Sequence, residues 1–223
     1  MKALLIACTF LYCSSSFSQD RGEFWLGAGA SRDVKKDLTV SFQTNLRTSY
    51  TLGVQTWFNE LGIKSTHLGW FRPSLDYRLI TSFDELRNST LTNRLNLNFD
   101  FRGKYENFRP GIRFRYQFFL GDGQSVGSDL DPSFRIKPYV MYKIDGSRLS
   151  PSFSAEYFYD PSYGPTGRRF NRQRYGLGSD IDLPGSNEAS ITLYYGRKFN
   201  TGNPYNEYLI SLEYNFDWKK DKE

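Results

Sequence analysis

The chain is poor in the residues from which catalytic and metal centres are usually built. Its 223 residues include two cysteines and one histidine. Both cysteines, Cys8 and Cys13, fall in the opening apolar segment. Once that segment is removed there is no thiol, which excludes a disulfide, a cysteine nucleophile and a cysteine metal site. A histidine metal site would need further ligands, and His67 stands alone. Long apolar runs are also missing. Beyond the opening segment nothing approaches eighteen consecutive apolar residues, which excludes a membrane-spanning helix. Charge of one sign is not concentrated. Lys and Arg number 29 against 24 Asp and Glu, a net charge of +5 spread along the chain, so no basic patch invites nucleic acid.

Aromatic residues, in contrast, are abundant. They make up 17% of the chain, with 19 Phe and 16 Tyr, although the composition as a whole is hydrophilic. A transmembrane barrel reconciles the two, because one face of each strand meets lipid and the other a polar interior.

The opening run MKALLIACTFLYCSSSFS has Lys2 at its start and an apolar core from Ala3 to about Cys13. Small residues follow, with Ser16 and Ser18 at the −3 and −1 positions of a cut before Gln19. This is the pattern of a secretory signal peptide. The alternative is a buried first helix. The core is too short to span a bilayer. Lipid attachment at Cys13 is disfavoured by Tyr12, since a small residue is wanted there. An exported chain without disulfides must be held by sheet closure or core burial. Residues 19–223 read as one domain, without linker, repeat or composition break.

From Gly22 onward the chain alternates with period two. In 37–48, Leu38, Val40, Phe42 and Leu46 oppose Thr39, Ser41, Gln43, Asn45 and Arg47. In the last such segment Tyr208, Ile210, Leu212, Tyr214, Phe216 and Trp218 oppose Ser211, Glu213, Asn215 and Asp217. The alternation marks about eleven segments, at 22–32, 37–48, 56–66, 70–80, 91–102, 108–120, 133–143, 148–159, 170–183, 188–198 and 206–218. Most are longer than the five or six residues of ordinary strands and match the nine to eleven of a tilted membrane strand. Short and long connections alternate, as in outer-membrane barrels with short periplasmic turns. The expected fold is therefore all-β, a single antiparallel up-and-down transmembrane barrel of about 10–12 strands. Bacterial barrels usually have even strand numbers. An even count requires 22–32 to lie outside the wall, or a further strand near Tyr50–Val54.

Four stretches carry a resemblance. They are FWLGAGASRDVKKDLTVSFQTNLR, NRLNLNFDFRGKYENFRPGIRFRYQF, RIKPYVMYKIDGSRLSPSFSAEYFYD and LYYGRKFNTGNPYNEYLISLEYNF. In order and spacing the chain resembles the outer-membrane barrel family called domain of unknown function 2490, over nearly all of its length. The resemblance implies an outer-membrane barrel and no known activity.

Alternation places a set of charges toward the lumen. The cations are Arg72, Arg78, Arg94, Arg102, Arg113, Arg115, Arg135, Lys137 and Arg174. The anions are Asp76, Asp100, Glu156, Asp180, Asp182, Glu213 and Asp217. One reading is a cationic strip that selects a small anionic solute in a pore. The other is a salt-bridge ladder filling a narrow barrel, since charges out of water need partners and both signs are present. Tyr214, Phe216 and Trp218 fit an aromatic girdle and the strand signal read by barrel-assembly machinery, with outer-membrane lipid around them. The tail KKDKE (219–223) should lie in water below that girdle. Arg197 faces outward and should snorkel toward headgroups. The glycines of GLGSD (176–180) make room for a neighbour's side chain. Asp122, Asp129 and Asp131 lack calcium-loop spacing, and His67 falls in a short turn. The chain is thus expected to be a non-enzymatic, cofactor-free barrel of the Gram-negative outer membrane, structural or a narrow channel. The alternatives are a membrane-embedded enzyme acting on lipid and a soluble periplasmic barrel carrying a ligand.

Overall fold

The computed structural model describes residues 20–50, 53–84, 86, 88–120, 133–161, 169–201 and 204–218. The signal-like run 1–18, the cut before Gln19, the aspartates 122, 129 and 131 and the tail 219–223 lie outside the described residues.

Eleven strands form one closed barrel in chain order. They are β1 (Asp20–Lys35), β2 (Leu38–Ser49), β3 (Gly53–Ser65), β4 (Phe71–Phe83), β5 (Ser89–Arg102) and β6 (Phe108–Leu120). The circuit continues with β7 (Ser133–Tyr142), β8 (Leu149–Asp160), β9 (Arg169–Asp182), β10 (Glu188–Lys198) and β11 (Tyr205–Asp217). One 3-10 turn, Pro184–Ser186, sits between β9 and β10. No helix among the described residues is long and apolar enough to cross a membrane.

The even count fails. Residues 22–32 lie in the wall, inside β1, which pairs with β2 on one side and β11 on the other. Among the described residues of Tyr50–Val54 there is no additional strand either: Tyr50 is in a turn, and Gly53 and Val54 open β3. Nor is the barrel wholly antiparallel. With eleven strands the first and last run in the same direction, so β1 and β11 close in parallel, from Asp20↔Asn206 to Ser31↔Asp217. A parallel ladder is slightly weaker per residue but leaves no free edge.

The β1–β2, β3–β4, β5–β6, β7–β8 and β9–β10 connections share one end, the turn end; the other is the loop end. Positive φ at Gly69 (65°) and Gly146 (71°) tightens two of the turns, a conformation that glycine adopts without steric penalty. The parallel seam places Asp20 at the loop end and Asp217 at the turn end.

Eleven strands at about 4.8 Å spacing and about 40° tilt give roughly 22 Å between opposite backbones. That width is too great for small side chains to fill. The inner face must carry long residues or enclose space.

Candidate functional site in the barrel interior

Strand pairing fixes which side chains share the inner face. Arg113 opposes Asp100 and Lys137, Glu156 opposes Arg174, and Glu213 opposes Ser190 and Gly27. Small residues stand beside large ones. A Cβ on Gly196 would lie 2.7 Å from Glu207 Oε2, and one on Gly176 would lie 2.6 Å from the Tyr194 ring. These glycines let a side chain lie across its neighbouring strand.

In the loop-end half, such reach builds a layer across the lumen. Arg78 donates to Glu60 Oε2 from Nε at 2.7 Å and lies 2.6 Å from it through Nη2. Asn96 Nδ2 donates to the same oxygen at 3.1 Å. Arg135 Nη2 donates to Gln117 Oε1 at 2.6 Å, and its Nη1 lies 3.8 Å from Glu156. Arg174 reaches over β10 to donate to Glu207 Oε2 at 3.0 Å, with Glu156 at 3.9 Å. Rings complete the circuit. Arg174 lies over Trp25, Arg47 over Trp25 and Phe58, Arg78 over Phe58, and Arg94 over Phe119. Every strand contributes, β10 through Tyr194 beneath Arg174. The layer is deeply buried: Asn96 is 0% exposed and Phe158 1%. A second group flanks the layer toward the turn end. Asn98 Nδ2 donates to Asp76 Oδ2 at 2.7 Å, Arg115 donates to Asn98 Oδ1, and its Nη2 lies 3.5 Å from Asp76.

The turn-end half is more open. A cavity of about 230 Å³ lies among Asp100, Arg102, Arg113, Lys137, Asp180 and Glu213, with the hydroxyls of Ser152, Ser190 and Thr192 between them. Tyr139 donates to Asp100 Oδ1 at 2.8 Å, and Arg102 donates to Asp100 Oδ2 at 2.6 Å.

The charges chosen from the sequence thus divide between two places. Arg94, Arg135, Glu156 and Arg174 are buried in the layer, and Arg115 flanks it. Asp100, Arg113, Lys137, Asp180 and Glu213 line the cavity. Sequence reading missed Glu60 and Glu207, which share inner-face parity with Lys64 and Glu213 and were legible by that rule. It also missed Trp25, Phe58 and Phe158, because an aromatic on the polar face breaks the alternation.

On the outer face, Tyr214, Phe216 and Trp218 project from the last strand at the turn end, and Arg197 also points outward. His67 sits in the exposed β3–β4 turn with Nδ1 3.1 Å from Asp37 Oδ2.

The geometry defines a closed, eleven-stranded β-barrel with a charge-filled interior. The chain belongs to the family described as "Protein of unknown function (DUF2490)", which matches residues 22–208. Among curated proteins none matches. Among solved structures, one described as "Unveiling the Mechanism Behind the in-meso Crystallization of Membrane Proteins" is similar at 11% identity and a TM-score of 0.42, over 84% of this chain and 80% of that one.

Proposed function

We propose that this chain is exported by a signal peptide cut before Gln19 and forms an integral, non-enzymatic barrel of the Gram-negative outer membrane. One observation carries the reading: the outer face is apolar on strand after strand. Leu26, Phe42, Leu61, Leu75, Leu97, Phe153, Leu177, Leu193 and Ile210 all stand exposed on it. Soluble monomers rarely expose a continuous apolar patch above a few hundred Å². A belt round a whole barrel is what lipid would cover. Twelve residues at about 3.3 Å rise and 40° tilt span about 30 Å, the thickness of a hydrocarbon core.

Within this reading the turn end is periplasmic, and the loop-end layer closes the lumen as a structural brace. The test is cell fractionation with heat-modifiable gel mobility, together with mass measurement of the mature N-terminus. The expected result is an outer-membrane band that shifts on boiling and begins at Gln19. A chain that stays soluble and monomeric without detergent refutes the membrane assignment, and a retained Met1 refutes cleavage. In planar bilayers the barrel should show no steady conductance, because the layer spans the interior.

A further inference from the structure

The turn-end half of the lumen is electrically divided. Its inward cations stand on β3 to β7: Lys64, Arg72, Arg102, Arg113 and Lys137. Its inward anions stand mainly on the opposite arc, β9 to β1: Asp180, Asp182, Glu188, Glu213, Asp217 and Asp33. Two acids break the division, and both are engaged on the cationic wall, Asp100 by Arg102 and Tyr139 and Asp76 by Arg115 and Asn98.

The cavity of about 230 Å³ holds the two walls apart. Arg113, Lys137 and Asp180 make no ion pair or side-chain hydrogen bond among the described residues. Among the described residues Glu213 accepts only from Ser211, at 3.3 Å. Each of these four is partly shielded from water, where an unmatched charge is costly. Opposed charged walls also orient a dipole, because low-dielectric surroundings focus the field across the gap. Toward the loop end the buried layer closes the lumen. The space is therefore a pocket entered from the turn end.

We propose that this pocket binds a small zwitterionic solute. Its anionic end lies against Arg113 and Lys137, its cationic end against Asp180 and Glu213, and the hydroxyls of Ser190 and Thr192 border its middle. A solute with both signs satisfies both walls at once, whereas an anion or a cation satisfies one and meets repulsion at the other. The inference rests on the closed barrel, not on its membrane location.

The test is isothermal titration of the refolded barrel in a non-ionic maltoside detergent. The probes are 6-aminohexanoate and the single-sign analogues hexanoate and hexylamine. 6-Aminohexanoate should bind about tenfold more tightly than either analogue, because it makes a second charge-assisted contact. That advantage should shrink with added salt. Lys137→Met and Asp180→Asn, from opposite walls, should each abolish the advantage while heat-modifiable mobility shows the barrel intact. If either variant fails to fold, the other alone decides. Equal binding of hexanoate and 6-aminohexanoate, or binding insensitive to the folded variant, overturns the proposal. So does no binding of 6-aminohexanoate at millimolar concentration to a barrel shown to be folded. A soluble but folded barrel that prefers the zwitterion would refute the membrane assignment and leave the pocket standing.

Discussion

Arg174 is the side chain on which the closing layer most depends, and its replacement by methionine gives the sharpest test of that layer. In the folded barrel its guanidinium is 3.0 Å from Glu207, 3.9 Å from Glu156 and 4.9 Å from the centre of the Trp25 ring. Arg174 is 7% exposed and Glu207 4%. Arg174→Met keeps much of the apolar length but strands the Glu207 carboxylate and leaves Arg135, at 3.8 Å, beside Glu156. Removing one partner of a buried pair destabilises by about 3–5 kcal/mol. Glu207→Gln is milder. Arg174 then retains Glu156 and its rings, and the loss is about 1–3 kcal/mol, that of a charged hydrogen bond. Replacing both removes the stranded charge, so the double variant should be more stable than the sum of the single losses predicts, by roughly 2 kcal/mol. The assay is urea unfolding and refolding in detergent micelles, followed by tryptophan fluorescence, since Trp25 lies beneath the guanidinium. A loss below about 1 kcal/mol for Arg174→Met would place the pair in the range of solvated surface ion pairs and refute the dry layer. Strict additivity would refute the coupling.

Phe216→Arg puts a charge on the outer face near the interface, where folded stability changes by only about 0–1 kcal/mol. Its outer-membrane level should nevertheless fall well below that of the inward substitution Asn215→Ala, through failed assembly; equal levels would refute the role given to the girdle. A Cβ on Gly178 would lie 2.5 Å from the Ile191 carbonyl oxygen, which is backbone and cannot swing away. Gly178→Leu should therefore cost about 1–3 kcal/mol as overpacking in the same unfolding assay, and a neutral result would mean that the β9–β10 contact is looser than described. The parallel seam sends the ends of β1 and β11 to opposite faces. An epitope placed before Asp20 should be labelled by antibody on intact cells, whereas one placed after Trp218 should require permeabilised cells. Labelling of both, or of neither, on intact cells would contradict this topology.

Much of the wall was legible because period-two alternation needs only one buried or greasy face per strand. The segment 108–120 coincides with β6 and 188–198 with β10, and no other segment end lies more than three residues from the end of its strand. The errors have separate physical origins. Evenness is a habit of bacterial barrels, not a requirement of closure, and the eleven segments marked by alternation are the eleven strands of the wall. Expected evenness alone set β1 aside, although Gly22, Gly27, Ala28, Gly29 and Ala30 do make its alternation the weakest to read. Gly27 and Gly29 are needed there, since their Cβ atoms would approach the side chains of Asn45 and Asn215 within 3 Å. What the sequence could not show is which inward charges meet. Arg174 and Glu207 are separated by a whole strand, and only the absent side chain of Gly196 lets them touch. Parity assigns a face; it does not assign height along the barrel, and height separates the buried layer from the cavity.

The layer and the cavity are two outcomes of one barrel width. Roughly 22 Å between backbones can be bridged only where long side chains project from nearly every strand. In the loop-end half they do: arginines on β2, β4, β5, β7 and β9, glutamates on β3, β8 and β11, and rings on β1, β3 and β8. The arginines outnumber the acids, and aromatic faces make up part of the difference, since Arg47 lies over Trp25 and Phe58 without an ion pair among the described residues. In the turn-end half, β8, β9 and β10 turn inward Ser152, Ser154, Gly178, Ser190 and Thr192, too short to reach the far wall. Space therefore remains in front of them, and Arg113 and Lys137 of β6 and β7 border it with no ion pair among the described residues. An even filling of the barrel would need long acids facing these cations, whereas β8 to β10 set serine, glycine and threonine there beside the short Asp180. The brace can be lost without emptying the pocket of its charges, and the pocket can be altered without opening the brace. Binding by the one and stability from the other should therefore respond to different substitutions.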